Sequence, residues 1–300
     1  MRIVAALGGN ALLERGERPD SDIQEQHVLQ AVAALAPLAR EHDLVITHGN
    51  GPQVGLLALE SERDPALSHP YPFDALGAQT QGMIGYWVAR ALRHEVPGRP
   101  VGCLITQTLV DADDPAFASP TKFVGPVYDE ARARELAGGR GWTIRQDGAA
   151  WRRVVPSPEP CELIEMPIIM SLVDGGAIVI CSGGGGIPVV AGPSGELSGV
   201  EAVIDKDLSA ALLARQVKAD ALLLLTDVDA VIENYGTPAA TPIGQTTAAR
   251  LREQSFPSGS MGPKVEAACR FVEGTGRTAA IGSLRNAAGM LAGKSGTIIG

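Results

Sequence analysis

Aromatic residues are scarce: Trp, Tyr and Phe together make up 4% of the 300 residues. A protein that stacks single-stranded nucleic acid on aromatic platforms carries more. Basic residues are also outnumbered, with 25 Lys and Arg against 34 Asp and Glu, for a net charge of −9. That field repels DNA, RNA and anionic membranes and argues against all three as partners. An anionic small molecule must then be met by local lysines. The four cysteines, Cys103, Cys161, Cys181 and Cys269, form no C-x-x-C pair. This argues against a zinc site or a disulfide framework and for thiols in a reducing compartment. No apolar run reaches the roughly 18 residues of a membrane-spanning helix. The opening MRIVAALGGNALL is interrupted by Gly8, Gly9 and Asn10 before it attains signal-peptide length. The expected location is the cytoplasm.

The common nucleotide motifs are missing too. The nearest approach to a P-loop is Gly293-Lys294-Ser295, but position 288 is Ala and too little chain follows for the helix. The dinucleotide pattern G-x-G-x-x-G fails because Gly183 and Gly185 are followed by Pro188. Neither H-E-x-x-H nor G-x-S-x-G occurs. A nucleotide, if one binds, sits on another scaffold.

What is present is an ordinary globular composition, 45% hydrophobic and 20% charged, over a length suited to two domains or one large α/β unit. Short apolar runs at Arg2–Leu7, Leu44–Thr47, Ala177–Cys181, Ala221–Thr226, Thr278–Ile281 and Thr297–Ile299 predict strands. Helical spacing predicts helices over Asp20–Glu41, Phe73–His94, Lys206–Val217 and Gly262–Glu273. The alternation predicts an α/β fold with a mainly parallel sheet covered on both faces. Asp111–Pro167 breaks the pattern with more Pro, charge and aromatics, including Trp142 and Trp151. It reads either as a surface excursion with a minor core or as a lid carrying a catalytic group. Pro156, Pro158, Pro160 and Pro167 mark a boundary near residue 170.

Three small-residue turns follow strands: Gly8-Gly9-Asn10, Gly49-Asn50-Gly51 and Gly183–Gly186. Each is either a tight turn or a cradle of backbone N–H groups for an anion, and three together favour the cradle. Such cradles suit phosphoryl transfer, where charged oxygens must be held while charge shifts. Lys264 stands out among the lysines, because glycine-rich chain and Pro263 place its ammonium at a helix start, where phosphate is favoured. Lys122 and Lys206 are further candidates. Asp207 either orients an ammonium or is a first-turn helix charge. Asp227-Val228-Asp229 either holds metal or ribose or forms a turn after its strand. His48, in a glycine-rich loop, is a weaker candidate for a general base.

The combination resembles the carbamate kinases, a branch of the amino acid kinase superfamily. Gly8-Gly9-Asn10-Ala11-Leu12 is similar to that family's first glycine loop, and Thr47–Gly55 to its second. Leu76–Tyr86 is similar to its helix motif. Pro120-Thr121-Lys122 with Gly125–Tyr128 resembles its lid-lysine segment, and Arg152–Pro158 the lid's return. Asp205-Lys206-Asp207, Thr226–Asp229 and Gly259–Lys264 complete the set, in family order along essentially the whole chain.

The resemblance implies a three-layer αβα sandwich with an open, mainly parallel sheet, a small protruding lid and a homodimer. It implies that residues 1–169, with the lid at about 111–167, bind carbamate or carbamoyl phosphate, and that residues 170–300 bind ATP or ADP with Mg2+. The implied reaction is ATP plus carbamate giving ADP plus carbamoyl phosphate, often run backward to make ATP. By the same resemblance the catalytic residues are Lys122, Lys206, Asp207 and Lys264. Substrate would meet Gly8, Gly9, Asn10, Gly49, Asn50 and Gly51, and nucleotide Lys206, Asp227, Tyr235, Met261, Gly262 and Lys264. No residue is assigned as a protein metal ligand. Ala6 stands where many superfamily members carry Lys, which favours a carbamate kinase over acetylglutamate or aspartate kinases. Phe123 departs from the Pro expected after the lid lysine. Two alternatives remain: another small-carboxylate kinase of the superfamily, and a non-catalytic binding protein on the same scaffold.

Overall fold

A computed structural model describes residues 1–14, 16–256 and 261–300, leaving aside the side chain of Asn10. In chain order the first half runs β1 (Arg2–Leu7), α1 (Ser21–Glu41), β2 (Asp43–His48), α2 (Gly51–Arg63), α3 (Phe73–Glu95), β3 (Val101–Cys103) and β4 (Gln107–Val110). The excursion contributes β5 (Lys122–Tyr128), α4 (Glu130–Arg140), β6 (Thr143–Asp147), β7 (Ala150–Val155) and β8 (Pro160–Leu163). Then come α5 (Met166–Asp174), β9 (Ile178–Ile180), β10 (Ile187–Ala191), β11 (Leu197–Gly199), α6 (Lys206–Gln216) and β12 (Ala221–Thr226). The chain ends with β13 (Ile232–Glu233), β14 (Thr241–Pro242), β15 (Gln245–Thr246), α7 (Ala248–Arg252), α8 (Met261–Thr275), β16 (Thr278–Ser283), α9 (Ala287–Leu291) and β17 (Thr297–Ile299).

The main sheet has eight strands in the order β15-β17-β16-β12-β1-β2-β9-β3. From β16 to β3 every pairing is parallel, and β17 runs antiparallel to β16. Side chains of a strand alternate between faces, and the two cores follow that alternation. Val4, Ala6, Val45, Val179, Leu222 and Leu224 face one layer, with Ile169 of α5, Leu213 of α6 and Phe271 of α8. Ile3, Ala5, Leu7, Leu44, Ile46, Leu223 and Leu225 face the other, with Val32 of α1, Ile84 of α3 and Met290 of α9. Strands buried on both faces read as unbroken apolar runs, which is why β1 and β12 were legible at once. This is the αβα sandwich with a mainly parallel sheet that the sequence predicts.

α2 lies outside the helices that apolar spacing predicts. Pro52 sits in its first turn, where the missing N–H costs nothing, and it buries Gln53, Val54, Gly55 and Ala58. Within the 111–167 excursion, β5, β7 and β6 form a separate antiparallel sheet. β8 instead pairs with β4 in a four-stranded sheet with β10 and β11. In α4, the Asp129 side chain accepts from the Arg132 amide, and Gly141 closes the helix in the left-handed region. The lid sheet meets the body through a small cluster of Val54, Ala58, Phe73, Leu76, Val124 and Val155. Arg153 reinforces that join. Its guanidinium lies 4.9 Å from the centres of both the Phe73 and Trp142 rings, and it pairs with Glu201 at 3.0 Å. Among the described residues, no helix is long and apolar enough to cross a membrane.

Phe271 is fully buried in the α8 layer. Phe271→Ala is expected to lower unfolding free energy by about 3–5 kcal/mol, through lost burial and the cavity left behind. Urea denaturation, with an unchanged slope against denaturant, measures it.

Candidate active site

The parallel strands β1, β2 and β12 end in register, Leu7 beside both His48 and Leu225. The chain leaves them through Gly8-Gly9, Gly49-Asn50 and Asp227. These turns line one cleft of about 1250 Å³, placed where open α/β sheets bind ligands, beyond the carboxyl ends of the strands. Three helices start at this cleft, with Gly51 and Pro52 of α2, Lys206 and Asp207 of α6, and Met261, Pro263 and Lys264 of α8 all among its lining residues. The positive dipole end makes each start favourable to anions.

The floor is charged. Asp207, buried in the first turn of α6, takes Lys206 Nζ on one carboxylate oxygen at 2.5 Å and Lys264 Nζ on the other at 3.0 Å. Burial alone would raise the Asp207 carboxyl, but the two ammonium groups outweigh it and hold the group down at about 2. Burial, aided by the charge of Lys264, pulls Lys206 below the usual lysine range, and the Asp207 carboxylate opposes that pull. Lys122, at the start of β5, reaches in from the lid. Its Nζ donates to Asp205 Oδ2 at 2.7 Å. The other Asp205 oxygen caps α6, accepting from the amides of Asp207 at 2.9 Å and Leu208 at 3.3 Å.

The second loop is held from behind. Asn50 Nδ2 donates to Thr80 Oγ1 at 2.8 Å, and Thr47 Oγ1 donates to the Ser182 carbonyl at 2.8 Å. The Gly183–Gly186 run proves to be mainly a packing surface rather than an open anion cradle. All four glycines are buried, and only Gly184 reaches the cleft. A Cβ on Gly183 would lie 2.4 Å from His48 Nε2, and one on Gly184, at φ +67°, 2.3 Å from Asn50 Nδ2. The glycines let the two loops seat against each other. His48 is buried, with Nδ1 3.0 Å from the Gly49 carbonyl. Burial, with a smaller push from Lys206, lowers its pKa to about 4. It is neutral at ordinary pH and packs beneath the loop, which does not favour the general-base role considered for it.

Of the residues singled out in the sequence, Gly8, Gly9, Gly49, Asn50, Gly51, Lys122, Lys206, Asp207, Asp227, Tyr235, Met261 and Lys264 all line the cleft. Gly262 is the one described site residue from that set that does not. The Asn10 side chain, Gly259 and Ser260 lie outside the described residues. The sequence reading missed Asp205 as the partner of Lys122, and Arg152, which also lines the cleft. Asp205 carried a signal, an acid at a helix start beside a candidate lysine. Arg152 lies 30 positions from Lys122 and joins it only through the lid sheet.

The description "Amino acid kinase family" fits residues 1–283. The chain belongs to the amino acid kinase family. Within it, the chain is similar to the carbamate kinase of Rhizobium meliloti (strain 1021), at 53% identity over all of this chain and 93% of the relative. It is also similar to that of Escherichia coli (strain K12), at 48% identity over 99% of this chain and 98% of the relative. Among solved structures, carbamate kinase from Giardia lamblia bound to AMP-PNP superposes with a TM-score of 0.91 at 40% identity, covering 99% of this chain and 98% of that one.

The buried His48 makes stability depend on pH. Free histidine takes a proton near 6.5, whereas His48 resists until about 4. Between those values the unfolded chain binds more protons, so stability is full above 6.5 and drains as pH falls through that window. The expected loss is on the order of 3 kcal/mol by pH 4. Asp207 adds its own loss lower, between 3.8 and about 2. Urea unfolding from pH 7 to 4 measures the first effect, and His48→Gln should flatten that part of the profile.

Proposed function

We propose that this protein is an amino acid kinase family enzyme that transfers a phosphoryl group reversibly between ATP and carbamate, giving ADP and carbamoyl phosphate. The observation that carries the reading is the Asp207 carboxylate holding Lys206 and Lys264 in the same cleft that receives Lys122. Relatives that are carbamate kinases at 48–53% identity over nearly the whole chain supply the acceptor.

The chemistry suits the residues. A carbamate oxygen forms a bond to the γ-phosphorus as the bond from that phosphorus to the ADP oxygen breaks. The nucleophile is already an oxyanion, so no proton has to be removed and no general base is needed. The work left to the protein is alignment and neutralisation of the phosphoryl oxygens. Lys206 and Lys264 are held fixed for that by Asp207, and Lys122 adds its charge from the lid. Residues 1–169 would hold carbamate on the Gly8-Gly9 and Gly49–Gly51 turns, Asn10 completing the set. Residues 170–300 would hold the nucleotide beside Asp227, Tyr235, Met261 and Gly262. AMP-PNP in the Giardia lamblia relative supports a nucleotide here.

A divalent metal, which we take to be Mg2+, would enter as part of the metal–nucleotide substrate and would supply positive charge to the phosphate oxygens. Asp205 and Asp207 are already committed to ammonium groups, and Asp227, Glu233 and Glu253 are the other carboxylates lining the cleft. The proposal includes a homodimer. Tyr86 is exposed on α3 one turn beyond Gly82, beside which the exposed Ile105 lies, and a second copy would cover this patch.

Carbamoyl phosphate with MgADP should yield ATP, while N-acetylglutamate with MgATP should yield no ADP. The reverse pattern would replace carbamate by a larger acceptor. Lys264→Ala is expected to lower kcat at least about a hundredfold with the fold intact. A near-normal rate would remove Lys264 from the mechanism.

A further inference from the structure

Two ammonium groups already occupy Asp207, and both carboxylate oxygens are taken. A third ammonium arriving from the lid is repelled by the first two and finds no place on that carboxylate. Asp205 resolves both difficulties. It lies two residues before Asp207, its side chain 13% exposed against 37% for Lys122, and it offers Oδ2 to Lys122. Its Oδ1 is fixed by the α6 amides, so the carboxylate is held rigidly on the body while the lysine comes from the lid. Lys122 is the first residue of β5 and pairs in register with Val155 at the end of β7, so its backbone belongs to the lid sheet and not to the body that carries Asp205.

We propose that Asp205 is a positioning residue that docks the lid lysine: it cancels the repulsion between Lys122 and the Lys206–Lys264 pair and seats the lid before the phosphoryl group is bound. This deepens the phosphoryl-transfer reading above and rests on it. The anionic phosphoryl group then competes with Asp205 for an ammonium already in the cleft, and does not have to draw it from solvent.

Asp205→Asn separates docking from capping, because Asn keeps the Oδ1 acceptor for the α6 amides but removes the charge that Lys122 meets. Without substrates, amides of 122–128 and 150–155 should exchange hydrogen faster in the variant than in the wild type, while those of 206–216 keep their protection. Lys122→Ala should produce the same loosening. In ATP formation from carbamoyl phosphate and MgADP, Asp205→Asn should lower kcat about tenfold, the scale of one charged hydrogen bond, with KM for ADP little changed. The same substitution in a Lys122→Ala background should change kcat less than twofold. Equal losses in both backgrounds, unaltered lid exchange, or lost protection confined to 206–216 would each overturn the proposal. If the wild type makes no ATP from carbamoyl phosphate, the functional reading fails, and the exchange comparison still decides whether Asp205 docks the lid.

Discussion

The structure turns on one buried carboxylate that holds two ammonium groups. Asp207 is nearly inaccessible, and so are the charged ends it gathers, Lys206 and Lys264, at 13% and 12% side-chain exposure. Burying charge is costly unless it is paired and hydrogen-bonded. One carboxylate between two ammoniums leaves a local surplus of positive charge beside open space. An anion that enters this space relieves the surplus, and a neutral ligand of the same shape does not. A preference for an anion over a neutral ligand is therefore built into the resting protein, at the expense of stability that a neutral core would have kept.

Holding that arrangement requires the rest of the fold. Lys206 and Asp207 sit in the first turn of α6 and Lys264 in the first turn of α8, and these helices are packed side by side against β12 and β16 through Leu213, Phe271 and Ile281. The second loop, opposite, is fixed differently, by side chains packed onto glycines and by hydrogen bonds from behind. His48 and Asn50 rest on glycines that leave no room for a Cβ, which adds to the hydrogen bonds of Asn50 and Thr47 in keeping the second loop in place. His48 belongs to this support. Its burial keeps it neutral, and a neutral ring adds no further positive charge next to Lys206.

Much of the sheet was legible in the sequence, because β1, β2, β12 and β16 are apolar on both faces and end at glycines or small polar residues. α2 was not, since Gly49, Gly51 and Gly55 read as loop and its buried face is polar at Gln53. The strands of the lid were also invisible as strands. β5 and β6 are half exposed, so no apolar alternation marks them, and the segment read only as a departure from the pattern around it. The site was legible in parts. Lys264 could be argued from its helix start, but Lys122, Lys206 and Lys264 are separated by 58 residues or more. Their convergence came from family resemblance, and spacing alone did not give it. The glycine run at 183–186 misled because glycines that admit a neighbouring loop and glycines that admit a phosphate look alike in sequence.

The two aspartates of the Asp205-Lys206-Asp207 triplet divide the work by exposure. Asp207 makes pairs within the body, and these are shielded enough to persist. Asp205 faces a lysine that is still 37% exposed on a separate sheet, and an ion pair with solvent access is weak and exchangeable. A permanent third pair would lock the lid and trap product; no pair at all would leave three ammoniums to repel one another. A weak pair lies between these limits, so in the proposed reaction Lys122 would shift from carboxylate to phosphoryl oxygen and back. Lys122 enters the lid sheet opposite Val155, two ladder positions from Arg153 and beside the cluster that joins lid to body, so its backbone is anchored and the exchange of partners falls to its side chain. A weak ion pair beside a well-packed apolar join makes that exchange compatible with a single well-packed fold.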